Sequence, residues 1–229
     1  MIEKRARGYF EFRPEVIVEV TMVCDRACSG CYAPNLISHD DPEISLRRHP
    51  ELFLKPDALR ERLSELTTST ARQLTSISFR GGEPTRHPKL PALIDEALRF
   101  TRQLFIESHA RWVLPQRGAA TSFGALMKAL ARRRAVLKIS FDSMHDMSAR
   151  ELRDLTQYLD RNRVNWLVAI TEPDRERFDE QRVRCDWIPD SKIVFQTKAV
   201  RSSDLYVPPL GVIRPDGKHF SSLSTRLSF

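Results

Sequence analysis

"VTMVCDRACSGCYAPN", Val20–Asn35, decides how this chain is read. Three of the four cysteines in the 229 residues fall inside it, at Cys24, Cys28 and Cys31, spaced C-x3-C-x2-C. The run just before it, "EVIVEV" (Glu15–Val20), is β-branched and predicts a strand, so the thiols sit on the loop leaving its carboxyl end. Thiolates are soft ligands, suited to zinc or iron–sulfur clusters. Structural zinc takes four closed ligands, usually in two pairs. Here three stand together, and the fourth cysteine, Cys185, is far away in sequence. Three thiolates on a four-iron cluster leave one iron open to a substrate or cofactor. The competing reading is a zinc knuckle completed by Cys185 or His39, which leaves the other strand ends unexplained.

Composition sets the frame. With 41% hydrophobic and 29% charged residues, the chain reads as one soluble globular domain, able to bury a core without disulfide staples. No apolar run approaches the ~20 residues needed to span a bilayer. The N-terminus, "MIEKRARGYFEFRPE", is charged and lacks the apolar stretch of a secretory signal. A reducing cytoplasm is the expected compartment, and there clustered cysteines point to metal or redox chemistry. The net charge of +7 is spread along the chain, with concentrations in "EKRAR" and "ARRRA". A solvated basic surface accounts for it; attraction to an acidic partner is the functional alternative. Without interleaved aromatics, the charge argues against nucleic acid.

Short β-branched runs alternate with amphipathic ones. Strands are expected at 15–20, 74–79, 103–108, 135–141, 164–170 and 191–197. Between them, "PDALRERLSELTTSTARQ", "HPKLPALIDEALRFTR", "TSFGALMKALARRR" and "SARELRDLTQYLDRN" carry apolar residues at helical spacing, the third capped near Thr121 or Ser122. The stretch "TEPDRERFDEQRVRCDWIPD" is less regular, one helix and a loop, and a Pro-Asp-Gly turn near the end predicts a hairpin. The expected fold is α/β: a partial (β/α)6 TIM-type barrel with a C-terminal β-hairpin, since a complete eightfold barrel takes about 250 residues. The expected layout is a basic segment over 1–14, the barrel over 15–200, and hairpin and tail over 201–229. The cysteines, "RGGEPT", "SHARW", "DSMHD" and "TEP" follow successive strands, and in parallel β-α folds such strand ends share one mouth.

With these residues in view, the chain resembles the radical S-adenosylmethionine (SAM) enzymes. Cys24, Cys28 and Cys31 match their first signature, and Gly81, Gly82 and Glu83 their glycine-glycine-glutamate segment. The resemblance implies a [4Fe-4S] cluster on the three cysteines, with SAM on the open iron. One electron then cleaves its carbon–sulfur bond, and the 5′-deoxyadenosyl radical takes a substrate hydrogen. It implies that Gly81 and Gly82 let the backbone approach the cofactor, with Glu83 at its amino group, so that replacing Gly82 would weaken SAM binding and largely spare the iron. "KISFDSMHDMSAR" resembles the fourth-strand region of the peptide-modifying branch, which implies Ser140 and Asp142 near the ribose and Arg150 at the carboxylate. A helix N-cap at Ser143, Asp146 or Ser148 explains part of the same stretch. Pro84, Ser108 and Tyr32 complete the expected cofactor contacts, and His109 is a further candidate. Many relatives carry an aromatic before the third cysteine, where this chain has Gly30, with Tyr32 after it.

The expected activity is modification of a ribosomally made (RiPP) precursor peptide, by a compact member without a cysteine-rich auxiliary-cluster extension. The expected partners are the precursor peptide, a small leader-binding protein, and an electron donor such as flavodoxin or ferredoxin. A small-molecule or nucleotide substrate is the alternative within the same chemistry. A non-catalytic metal-binding protein is the alternative outside it. Cys185 reads as a small buried hydrophobe.

Overall fold

The structure, a computed structural model, describes residues 2–4, 10–29, 31, 35–113, 123–132, 134–197 and 208–220. Tyr32 and the expected cap at Thr121 or Ser122 lie outside the described residues. In chain order the strands are β1 (Ile2–Lys4), β2 (Phe10–Phe12), β3 (Val16–Thr21), β4 (Val23–Cys24), β5 (Leu36–Ile37), β6 (Leu74–Gly81), β7 (Thr101–Ser108), β8 (Ala135–Ser140), β9 (Trp166–Glu172), β10 (Ile193–Thr197), β11 (Val212–Ile213) and β12 (His219–Phe220). The helices are α1 (Pro42–Arg48), α2 (Pro56–Thr70), α3 (Leu90–Phe100), α4 (Phe123–Leu130), α5 (Ala149–Arg161) and α6 (Arg175–Val183).

One sheet runs in the order β1-β2-β10-β9-β8-β7-β6-β3-β11-β12. From β2 to β11 every pairing is parallel; the outer pairs β1–β2 and β11–β12 are antiparallel. The six expected strands β3, β6, β7, β8, β9 and β10 stand side by side in chain order, with helices on the crossovers, as right-handed β-α units require. This is the expected partial barrel, with an open sheet. The hairpin forms around Pro215-Asp216-Gly217, and β11 pairs with the outer edge of β3. Residues 2–4 and 10–12, within the basic segment, supply β1 and β2 at the opposite end of the sheet.

The main core lies between the sheet and its helices. It takes Leu59, Leu63 and Leu66 from α2, Leu93, Ile94 and Ala97 from α3, and Leu152, Leu155 and Leu159 from α5, the helical spacings expected. The other face of the sheet carries a smaller apolar layer of Phe105, Leu167, Ala169 and Val194. On that same face, two residues further along their strands, lie charges. Glu107 on β7 binds Lys138 Nζ on β8 at 2.7 Å, accepts from Ser78 Oγ at 2.5 Å and pairs with Arg80 on β6. Lys138 continues to Gln196 Oε1 on β10 at 2.8 Å, across the strand holding small Ala169. Burial pushes the pKa of Lys138 down to about 8, against the pull of Glu107. It also works against ionisation of Glu107, but Arg80 and Lys138 outweigh it and hold that carboxyl at about 2.

The sheet and the cysteine loop meet at Gly81 and Gly82. A Cβ on Gly81 would stand 2.0 Å from the Thr21 carbonyl oxygen, and one on Gly82 2.2 Å from that of Val23. Gly81 also has φ +123°, open to glycine alone. The approach is fixed by Gly82 N–H donating to Thr21 O at 2.7 Å and Glu83 N–H to Val23 O at 3.0 Å. The glycines are therefore demanded by the chain's own backbone, one residue short of Cys24.

Gly82→Ala is expected to displace Val23 and with it Cys24, so iron loading falls together with SAM binding. Iron retained at the wild-type level would show that the contact yields. For Glu107, the folded-state pKa lies below its ordinary 4.5, so its stabilisation is present above that value and is lost as pH falls toward about 2. Glu107→Gln is expected to cost about 3–5 kcal/mol at neutral pH, by leaving buried cations uncompensated, and to flatten the acid limb of a denaturation series.

Candidate functional site

The cysteine loop is zipped at its neck. β4 and β5 pair in parallel, with Leu36 N–H on Met22 O at 2.9 Å and Ser38 N–H on Cys24 O at 2.8 Å. Cys24 is buried, Cys28 half-buried and Cys31 exposed, and all are free thiols. Cys31 N–H bonds Cys28 O at 3.2 Å, and Asn35 Nδ2 donates to Cys31 Sγ at 3.5 Å. Burial, joined by the Glu83 carboxylate, pushes the Cys24 thiol up to about 12. Burial raises Cys28 as well, against the Arg26 guanidinium beside it.

Contacts among loops confirm one mouth at the carboxyl ends of the strands. Asp25, after β4, meets His109, after β7; His109 meets Glu83, after β6. Arg26 Nη2 donates to His145 O, after β8, at 3.3 Å. Arg111, after β7, binds the Asp146 carbonyl oxygen and Glu151 at 3.1 Å. Ser143, after β8, donates N–H (2.8 Å) and hydroxyl (3.1 Å) to Glu172, the last residue of β9.

Several expected cofactor contacts prove to be inward-facing. Glu83 is 2% exposed, and its carboxylate accepts from Thr85 N (3.1 Å), Thr85 Oγ1 (2.6 Å), Ser108 Oγ (2.8 Å) and His109 N (3.2 Å). The Ser108 hydroxyl also accepts from Ala110 N at 2.8 Å and Trp112 Nε1 at 3.0 Å. Both side chains brace the loops on which they stand. Pro84 is buried at the start of the short turn after Glu83. Ser140, half-buried, ends β8 on the face of the charged row.

Asp142 differs from these. It is buried, and its Oδ1 accepts from Met144 N, His145 N and His145 Nδ1 at 2.9, 3.1 and 2.7 Å. Its Oδ2 is buried with no partner among the described residues, an acceptor whose desolvation is uncompensated. Ser148 is the N-cap of α5, in a reciprocal capping box with Glu151. Arg150 therefore falls on the exposed first turn of α5. Arg26 and Arg111 also stand at the mouth, at no defining position of any motif of the sequence. Their one outward signal is position, directly after Cys24-Asp25 and Ser108-His109-Ala110.

The donor set suits a cubane. Three soft thiols stand on one zipped loop, near enough that Cys28 acts on Cys24 and Cys31 on Cys28. Among the described residues no three His, Cys, Asp or Glu side chains converge tightly enough to hold a single metal ion. His39 is exposed, and Cys185 is buried in the main core against carbonyls of its own helix end. No helix among the described residues is long and apolar enough to cross a membrane. Arg60, Arg62, Arg72 and Arg177 pair with neighbouring acids near the surface and so do not carry the net surplus.

No protein-family model and no curated protein matches the sequence. Solved structures do match. Streptococcus suis SuiB bound to its precursor peptide SuiA superposes with TM-score 0.56 at 14% identity, over 84% of this chain and 41% of SuiB. SuiB bound to SAM gives 0.53 at 16% identity, over 84% of this chain and 40% of SuiB. The protein anSMEcpe with bound SAM gives 0.50 at 10% identity, over 80% of this chain and 49% of that one. The chain thus spans between two fifths and one half of the proteins it matches. The chain shares the α/β fold of these solved structures, an open sheet of parallel strands with helices on the crossovers.

Proposed function

We propose that this chain performs radical SAM chemistry on a ribosomally made precursor peptide. The observation that carries the reading is the seating of the C-x3-C-x2-C loop against the glycine-glycine-glutamate segment at the carboxyl end of six parallel strands. Cys24, Cys28 and Cys31 would hold a [4Fe-4S] cluster. When bound and reduced, that cluster supplies the electron that splits the carbon–sulfur bond of SAM into methionine and a 5′-deoxyadenosyl radical.

The chain's own residues bind, orient and exclude water. The backbone of Gly81 to Glu83 receives the amino end of the methionine, and Glu83 and Ser108 keep that backbone in place from behind. Asp142 Oδ2, a buried acceptor lacking a donor among the described residues, suits a ribose hydroxyl, with Ser140 as its neighbour from the same motif. The carboxylate calls for a guanidinium, supplied by Arg150 after rearrangement or by Arg26 or Arg111 where they stand. The charged row on β6, β7 and β8 faces the barrel interior below the mouth and gives the substrate a polar floor.

A peptide substrate is supported by SuiB, whose structure holds its precursor peptide. The net charge of +7 suits an acidic leader, delivered directly or by a small partner protein. A flavodoxin or ferredoxin would provide the electron.

Anaerobic incubation of the reconstituted, reduced protein with SAM is expected to yield 5′-deoxyadenosine, and Cys28→Ala to abolish it. A wild-type protein carrying four irons that leaves SAM uncleaved would refute the chemistry. Fluorescence anisotropy with acidic leader peptides tests the substrate separately; no binding, with or without a partner, would remove the peptide and leave the chemistry standing.

A further inference from the structure

One side chain touches both motifs. His109 is 6% exposed, at the end of β7, and belongs to neither signature. Its Nδ1 accepts the Arg111 backbone N–H at 3.1 Å, which places its proton on Nε2. That Nε2 stands 3.0 Å from Asp25 Oδ1 and 3.3 Å from Glu83 Oε2. The backbone N–H of the same residue donates to Glu83 Oε2 at 3.2 Å. Asp25 is the residue after Cys24, and Glu83 the residue after Gly82. Two carboxylates would otherwise approach each other across a poorly solvated gap, where like charges repel.

We propose that His109 is a positioning residue: its ring ties the carboxylate beside the first cluster cysteine to the carboxylate of the glycine-glycine-glutamate segment, and so sets how the SAM pocket faces the cluster. This rests on the function proposed above. His109 supplies no ligand and has no room at the mouth; it acts through Asp25 and Glu83. Groups that hold the ligand-bearing residues of a metal site in place commonly change affinity or activity by about 10- to 100-fold when removed. The three thiols remain without His109, so iron loading and SAM affinity should separate.

The test is anaerobic titration of the cluster-loaded protein with SAM, with iron content and thermal melting measured on each sample. His109→Phe fills the space without a donor. It is expected to keep its iron and most of its melting temperature and to bind SAM about tenfold or more weakly. His109→Gln restores an N–H at the gap and is expected to recover most of that affinity. Asp25→Ala, at a side chain 30% exposed, should weaken binding in the same direction and add little on top of His109→Phe. If His109→Phe is insoluble, Asp25→Ala decides by the same titration. Wild-type SAM affinity in His109→Phe, or in Asp25→Ala where that variant decides, overturns the proposal, as does loss of iron in step with SAM or failure of His109→Gln to recover. A wild-type protein that takes up no iron removes the proposed function, and this inference with it.

Discussion

Two lengths of backbone meet so closely that one of them can carry no side chain. Thr21 to Val23 lead into the cysteine loop, Gly81 and Gly82 leave the second barrel strand, and they pass so closely that a single methyl group would strike a carbonyl oxygen. Everything at the mouth is registered from this contact. It sets Cys24 beside Glu83, and Glu83 then gathers donors from its own turn and from the end of β7. The glycines thus act between two parts of the protein, whatever else their backbone receives.

Below the mouth the barrel interior is built at a cost. A buried ion pair is rarely more stabilising than well-packed apolar side chains of the same volume. Yet Glu107, Arg80 and Lys138 occupy three neighbouring strands, next to an apolar layer of Phe105, Leu167 and Val194 on the same face of the sheet. The apolar layer lies toward the amino ends of the strands and the charged row toward their carboxyl ends. Two carboxylates of the mouth, Glu83 and Glu172, are likewise buried and fully engaged, so the loops are held by hydrogen bonds as much as by packing.

Much of this was legible in the sequence. Leu59, Leu63 and Leu66, or Leu152, Leu155 and Leu159, announce helices by spacing, and "EVIVEV" or "VNWLVAI" announce strands by β-branching. The clustered thiols and the paired glycines stand out because such residues are seldom placed together without reason. What stayed hidden depends on contacts between distant segments. β1 and β2 are three residues each, too short for an alternation to register. Arg80, Glu107 and Lys138 look like ordinary surface charges until the strand register aligns them. Arg150 stands out by its place in a motif and is exposed on the first turn of α5, whereas the contacts of Arg26 and Arg111 across the mouth join segments distant in sequence. Ser108 and His109 stand out in the sequence because they end a strand; that both are buried and bonded to Glu83 depends on the fold.

The account stands or falls on an iron that three sulfurs from one loop leave open. Electron paramagnetic resonance of the reduced, reconstituted protein, recorded before and after addition of SAM, reads that iron directly. A four-iron signal whose line shape changes when SAM is added is the expected result. A protein that yields one zinc per chain, or a four-iron signal indifferent to SAM, would contradict it.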